Sequence, residues 1–182
     1  MAAQGRRLAS PDDLSDKAHA EKVIRKADKA LGRVEAFVND AAARYAKYDL
    51  RDISGAPLRR FVDIDAAAGF SVSQAALDHL GQSASLVNAA SFKGFKGDAS
   101  LVDYSTTRDA ITAFTCCVAS QVVGRGVRAD AAAPGPVWTP FIPGIAAPER
   151  VGSFGSRAPM GRPGEPREIE SRHLFLASND GA

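Results

Sequence analysis

The 182 residues are 45% hydrophobic and include 23 basic and 21 acidic side chains for a net charge of +2, as expected of one soluble globular domain spanning residues 1–182. Charges of both signs are interspersed, so no basic stripe is available to attract nucleic acid or an anionic membrane, and neither is expected as a partner. No run of about 18 apolar residues would span a bilayer, and no apolar stretch follows the charged start as in a secretory signal, so the cytoplasm is the expected location.

Residues 15–32 place Ala20, Val23, Ile24, Ala27, Ala30 and Leu31 on one stripe, an amphipathic helix with Ser15 as N-cap and Gly32 as its stop. VEAFVNDAA, residues 34–42, is too short for a helix and predicts a buried strand. A second helix is expected over about residues 57–80, up to Gly81. ASLVNAAS, residues 84–91, predicts another buried strand, with a loop carrying Gly94 and Gly97 after it. From Tyr104 to Val123 the positions Ile111, Phe114, Val118 and Val122 keep helical spacing. Cys116 and Cys117, adjacent on that helix, are expected as small core residues, since neighbours cannot staple distant segments or build a metal site. VRADAAAPGP, residues 127–136, predicts a third strand running into a Pro/Gly-rich loop. Residues 143–166, with five of the ten prolines, predict a mobile loop, and a last helix is expected near residues 165–177.

Helices alternating with short apolar strands specify an α/β fold, a parallel sheet with helices on its faces. Ligands of such sheets bind beyond the carboxyl ends of the strands, here residues 39–42, 88–91 and 133–139. Tyr104 and Arg108 lie four apart at a helix start and so share a face. A phenol titrates near about 10, and a neighbouring cation favours its ionised form, so such a tyrosine can exchange a proton with an alcohol or carbonyl oxygen. Ser91, at the end of the preceding strand, can hydrogen-bond the same oxygen. Two surface neighbours would show the same Tyr–Arg spacing. Lys93 and Lys96 are expected to be solvated. His19, His79 and His173 show no metal-ligand spacing, so no metal is expected, and His79 near a helix end suits the helix dipole. A nucleophilic Ser91 would need an oriented base, and no histidine is suggested nearby.

The blocks DLSD, LGRVEAFVNDAA, SFKGFKG, DYSTTRDAITAFT, GRGVRADAAAPGPVWTP, PMGRPGEPREIE and FLASND follow one another along nearly the whole chain. In order and spacing they resemble the short-chain dehydrogenase/reductase family. The resemblance implies a Rossmann-like, doubly wound parallel sheet and an NAD(P)-dependent oxidoreductase that transfers hydride between nicotinamide and an alcohol or ketone. By position Ser91 matches the substrate-polarising serine and Tyr104, thirteen residues on, the catalytic acid/base. Asn39 and Ala41 match the strand end along the adenosine part of the cofactor, and Asp13 the acidic residue near the adenine ring. Pro134, Gly135, Val137 and Thr139 match the loop that contacts the nicotinamide amide. The resemblance also implies a homo-oligomer, dimer or tetramer, built on the helices over residues 57–80 and 104–123.

Several positions depart from the family pattern. Arg108 stands where members carry a lysine that lowers the phenol pKa and holds the nicotinamide ribose, replacing a compact ammonium with a planar fork. Asp65 stands where members carry an asparagine, and a carboxylate accepts hydrogen bonds but cannot donate them. Asp65 and Arg108 are expected to pair, partly cancelling the cation beside Tyr104. Asp130 replaces an amide, and Glu170, Arg172 and His173 fall where the last helix would pack, at a cost if buried. Only Gly5 precedes Gly32, so the glycine-rich phosphate cradle is not found and binding of NAD or NADP is expected to be weakened or lost. The expected fold is therefore an incomplete doubly wound sheet, truncated at both ends and lacking the first βαβ unit and the last strand. Two functions are compatible with these residues: an impaired oxidoreductase, or a non-catalytic remnant serving as an oligomerisation module.

Overall fold

The computed structural model describes residues 8–145 and 148–181. Helix α1 (Lys17–Leu31) starts at Asp16, whose carboxylate accepts the Ala18 N–H at 2.9 Å, and stops at Gly32, whose φ of 94° returns its N–H to the Asp28 carbonyl. The cap is thus Asp16 and not Ser15. A carboxylate satisfies a free helix N–H and also meets the positive end of the helix dipole, while the Ser15 hydroxyl donates to Asp13 at 2.7 Å.

Strands β1 (Val34–Asn39), β2 (Leu80–Ala89) and β3 (Arg128–Ala132) form a parallel sheet in the order β1-β2-β3. Parallel neighbours need crossovers. The first is α2 (Gly55–Val62), a π-helical turn (Asp63–Ala67) and α3 (Ala68–Leu77). The second contains the short helix α4 (Phe92–Lys96) and the long helix α5 (Val102–Val122). Helices α6 (Phe141–Ile145), α7 (Pro148–Gly152) and α8 (Pro166–Ala177) follow β3. Alternation along β2 separates the two faces. Leu86 joins a core cluster with Val118 and Val122 of α5, and the Asn88 amide donates to Thr115 of the same helix, whereas the Ser85 hydroxyl donates to the Ala177 carbonyl at the end of α8. Helices therefore cover both faces of an open sheet, an incomplete Rossmann fold. A second cluster, Ala20, Ile24, Val72 and Ala76, joins α1 to α3, and Phe37 of β1 packs against both clusters. Burying a residue such as Leu86 contributes about 1.5–3 kcal/mol. No helix among the described residues is long and apolar enough to cross a membrane.

Several expectations need correction. β1 is an edge strand paired on one side only, and Val38 is 44% exposed, so it is not buried. The second helix ends at Leu77, because β2 begins at Leu80. An irregularity in the ladder after Val34, with Ser83 at a φ of 67°, lets β2 start early while still bringing Ser85 opposite Ala36. The expected loop after Ser91 contains α4. Gly94 lies in it because a Cβ there would meet the Asp109 backbone nitrogen at 2.9 Å, so α4 rests directly on α5. The described residues of the proline-rich stretch are structured: α6 and α7 occupy part of it, and Trp138 N–H donates to Gly164 O while Gly164 N–H donates to Pro136 O, both at 2.8 Å. Cys116 and Cys117 are exposed, since α5 buries the stripe Thr107, Arg108, Ile111, Thr115, Val118 and Val122 instead. Lys93 is half-buried and ion-paired with Asp98. Glu170 and Arg172 of α8 point to solvent and incur no burial cost.

Candidate functional site

The register pairs Asn39 with Asn88 and Ala89 with Ala132, so the carboxyl ends of all three strands form one rim. Below it lies a buried knot. Asp65, 2% exposed, sits in the π-helical turn, whose wide winding turns both Asp65 and Ala66 inward. Its carboxylate accepts the Ala43 N–H, lies 3.3 Å from the Thr107 hydroxyl, and pairs with the Arg108 guanidinium at 3.2 Å. Arg108, 3% exposed, also donates to the Ala89 carbonyl at 2.8 Å and the Ala41 carbonyl at 3.2 Å. One side chain thus ties the ends of β1 and β2 and the first crossover to α5. Burial pushes the Asp65 pKa up, against the pull of the Arg108 charge and the three hydrogen-bond donors.

Tyr104 lies one turn before Arg108, its ring 5.2 Å from that guanidinium, and among the described residues no hydrogen bond engages its hydroxyl. Ser91 caps α4: its Oγ accepts the Lys93 N–H at 3.2 Å, which leaves the hydroxyl proton free to donate. Ser91 is two residues past Ala89, the carbonyl that Arg108 grips, so the segment bearing Ser91 and the Tyr104 ring both adjoin the same guanidinium. The loop after β3 is bound to this rim, because Phe92 N–H donates to the Pro134 carbonyl. Farther along it Gly135 is exposed, Val137 bridges to Gly164, and the Thr139 carbonyl accepts the Ile142 N–H at the start of α6. Asn39 ends β1 under Gly69 of α3, where a Cβ would meet its amide nitrogen at 2.7 Å.

Asp13 stands apart from the knot. Its carboxylate is bound by Arg60 of α2 and by Ser15, and these hydrogen bonds, Arg60's first, bring its pKa down to about 2. Asp130 is partly buried with Arg128 at 4.0 Å, and burial raises its pKa against that charge. The sequence reading missed three residues of the site. Thr107 follows Tyr104 by three on the same helical face and could have been found by that spacing. Gly94 was visible only as a glycine. Arg44, in the loop after β1, lies with its guanidinium 5.8 Å from the Tyr104 ring and 5.9 Å from the Phe141 ring. Nothing local in the sequence marks it.

The Ser91 hydroxyl proton and the Tyr104 hydroxyl are chemically suited to a substrate oxygen beside a nicotinamide, whereas the Pro134 and Thr139 carbonyls of the following loop are already hydrogen-bonded. The adenine side fits less well, because Arg60 already holds Asp13, the residue assigned to it by resemblance.

The whole chain, residues 1–182, matches the family model described as Enoyl-(Acyl carrier protein) reductase. It is 36% identical over 172 residues to "NADPH-dependent aldehyde reductase 1, chloroplastic" of Arabidopsis thaliana, covering 94% of this chain and 60% of that protein. It is 37% identical over 175 residues to "Glucose and ribitol dehydrogenase" of Daucus carota, covering 96% of this chain and 60% of that one. The chain therefore spans about 60% of the length of these relatives. Among solved structures, a blue fluorescent protein from a metagenomic library in complex with NADPH is 28% identical, with a TM-score of 0.84 over 93% of this chain and 68% of its own. A short chain dehydrogenase from Burkholderia cenocepacia J2315 in complex with NADP is 21% identical and shares the fold, with a TM-score of 0.88 over 97% of this chain and 71% of its own. The chain belongs to the short-chain dehydrogenase/reductase family of Rossmann-fold oxidoreductases.

Proposed function

We propose that this chain carries the substrate side of an NAD(P)-dependent oxidoreductase that interconverts an alcohol and a ketone, with its proton transfer impaired by the residues around Tyr104. A bound nicotinamide would supply or accept the hydride. Tyr104 then gives a proton to the carbonyl oxygen, or takes one from the alcohol, while the free Ser91 hydroxyl proton holds the same oxygen in place. Asn39, Ala41, Pro134, Gly135, Val137 and Thr139 are the cofactor contacts of this reading, with Asp13 available once Arg60 releases it. The NADPH and NADP in the names of relatives and structural neighbours support NADP(H) over NAD(H).

The observation that carries the reading is the Tyr104 ring held 5.2 Å from the Arg108 guanidinium at the strand ends, beside the segment bearing Ser91. The same guanidinium explains the impairment. Buried and directed at Asp65, Ala41 and Ala89, it is poorly placed to hold a ribose, and Asp65 offsets its charge. That immersion also favours the second reading, a non-catalytic remnant that assembles as a dimer or tetramer. Exposed Leu58, Val62 and Phe70 on the first crossover support a homo-oligomeric contact there.

The test is a fluorescence titration with NADH and NADPH followed by turnover assays on simple ketones. Saturable NADPH binding, and faster turnover after the double substitution Asp65→Asn with Arg108→Lys, support the oxidoreductase. No response to either dinucleotide, with a dimer or tetramer in solution, supports the remnant.

A further inference from the structure

We propose that Arg44 is the specificity-determining cation of this site and that the substrate is a ketone or alcohol that also carries a carboxylate. This rests on the oxidoreductase reading above and goes beyond it by naming the substrate class. The loop bearing Arg44 is anchored on both sides: Ala43 N–H donates to Asp65, and Lys47 N–H donates to the Ser100 carbonyl at 3.0 Å. The main chain on both sides of Arg44 is thus held. The guanidinium lies between the ring of the proposed acid/base, Tyr104, and that of Phe141, the first residue of α6 after the Pro134–Thr139 loop.

Arg44 is only partly exposed, and burial works against its charge, while Tyr104 and Asp98 favour it. Among the described residues no carboxylate lies within 4.0 Å of its guanidinium and no hydrogen bond uses its N–H groups, whereas Asp98 is already bound by Lys93 and Ser100, and Asp65 by Arg108. A half-desolvated planar fork with unused donors suits a carboxylate, which it can grip through two parallel hydrogen bonds. A neutral alcohol offers the fork neither an opposite charge nor two parallel acceptors. With the Arg44 guanidinium 5.8 Å from the Tyr104 ring, a carboxylate held there would sit beside the proposed acid/base, as a carboxylate on the substrate itself would.

The experiment follows the arginine Nε–Hε NMR signals of the full 182-residue chain during titration with 2-oxobutyrate or with butanone, its neutral counterpart, each with and without NADPH. The inference predicts a saturable shift of the Arg44 signal with 2-oxobutyrate alone, and affinity reduced about tenfold or more in Arg44→Gln. Arg44→Lys, which keeps the charge without the fork, should fall between the two and serves if Arg44→Gln fails to fold. No saturable shift under either condition, equal response to butanone, or unchanged affinity in the variants overturns it. A parallel NADPH titration separates the two readings. Arg44-dependent 2-oxobutyrate binding without NADPH binding sinks the oxidoreductase and keeps the anion site, whereas NADPH binding with no carboxylate preference keeps the oxidoreductase and sinks the anion site.

Discussion

Two arginine–carboxylate pairs join distant parts of the chain, with opposite consequences. In Arg108–Asp65 the side chains are 4% and 0% exposed, and in Arg60–Asp13 they are 55% and 45% exposed. The first has no water to fall back on, so every donor around it depends on a protein acceptor. The second exchanges freely with solvent. Removing Asp65 takes the acceptor from the Ala43 N–H and leaves the buried Arg108 guanidinium without its counter-charge, while the Thr107 hydroxyl keeps the Tyr104 carbonyl and Arg108 keeps the Ala89 and Ala41 carbonyls. Asp65→Ala should therefore lower stability by about 3–5 kcal/mol, read as a lower urea midpoint. A midpoint within error of the parent chain would mean that the knot is not structural.

Close packing beside the knot gives the next largest effect. Gly94→Ala puts a methyl group against backbone atoms of Arg108 and Asp109, which cannot rotate away, and should cost about 1–3 kcal/mol. Gly81→Ala, where a Cβ meets nothing within 4 Å, is its control and should not fall below the parent. Acid then separates an intermediate case. Partial burial opposes ionisation of Asp98, but hydrogen bonds from Lys93 and Ser100 prevail and hold its pKa at about 2, below the ordinary 3.8. A depressed pKa means that this carboxylate's contribution is complete above 3.8 and is lost as pH falls toward about 2. Asp98→Asn should flatten that part of the stability profile, and an unchanged slope would contradict the assignment. The smallest effect belongs to the exposed pair: Asp13→Asn should leave the urea midpoint in place while freeing Arg60.

The same contrast between local and distant contacts decides what the sequence could reveal. The α/β order was legible because each crossover helix keeps its stripe and each strand is a short apolar run. The pairing of Asp65 with Arg108 was legible because both are unusual at positions of a recognisable pattern. The backbone acceptors of Arg108 were not, since Ala41 and Ala89 contribute only carbonyls and any residue has one. The exposure of Cys116 and Cys117 was hidden because α5 buries polar Thr107, Arg108 and Thr115 on its inner face, so hydrophobicity misjudges which side is inside. The π-helical turn at Asp63–Ala67 adds its extra width inside an uninterrupted helical pattern and leaves no mark in composition. Arg44 is legible only in three dimensions, where Tyr104 and Phe141 meet it from later parts of the chain.

The cation beside Tyr104 is held by the fold, and a double-mutant cycle on Asp65 and Arg108 tests this most directly. Urea unfolding of Asp65→Ala, Arg108→Ala and the double variant should give a coupling of about 1–3 kcal/mol, each single loss already including much of the other. Losses that add to within about 0.5 kcal/mol would show that the two side chains act independently and that Asp65 does not hold the cation beside Tyr104.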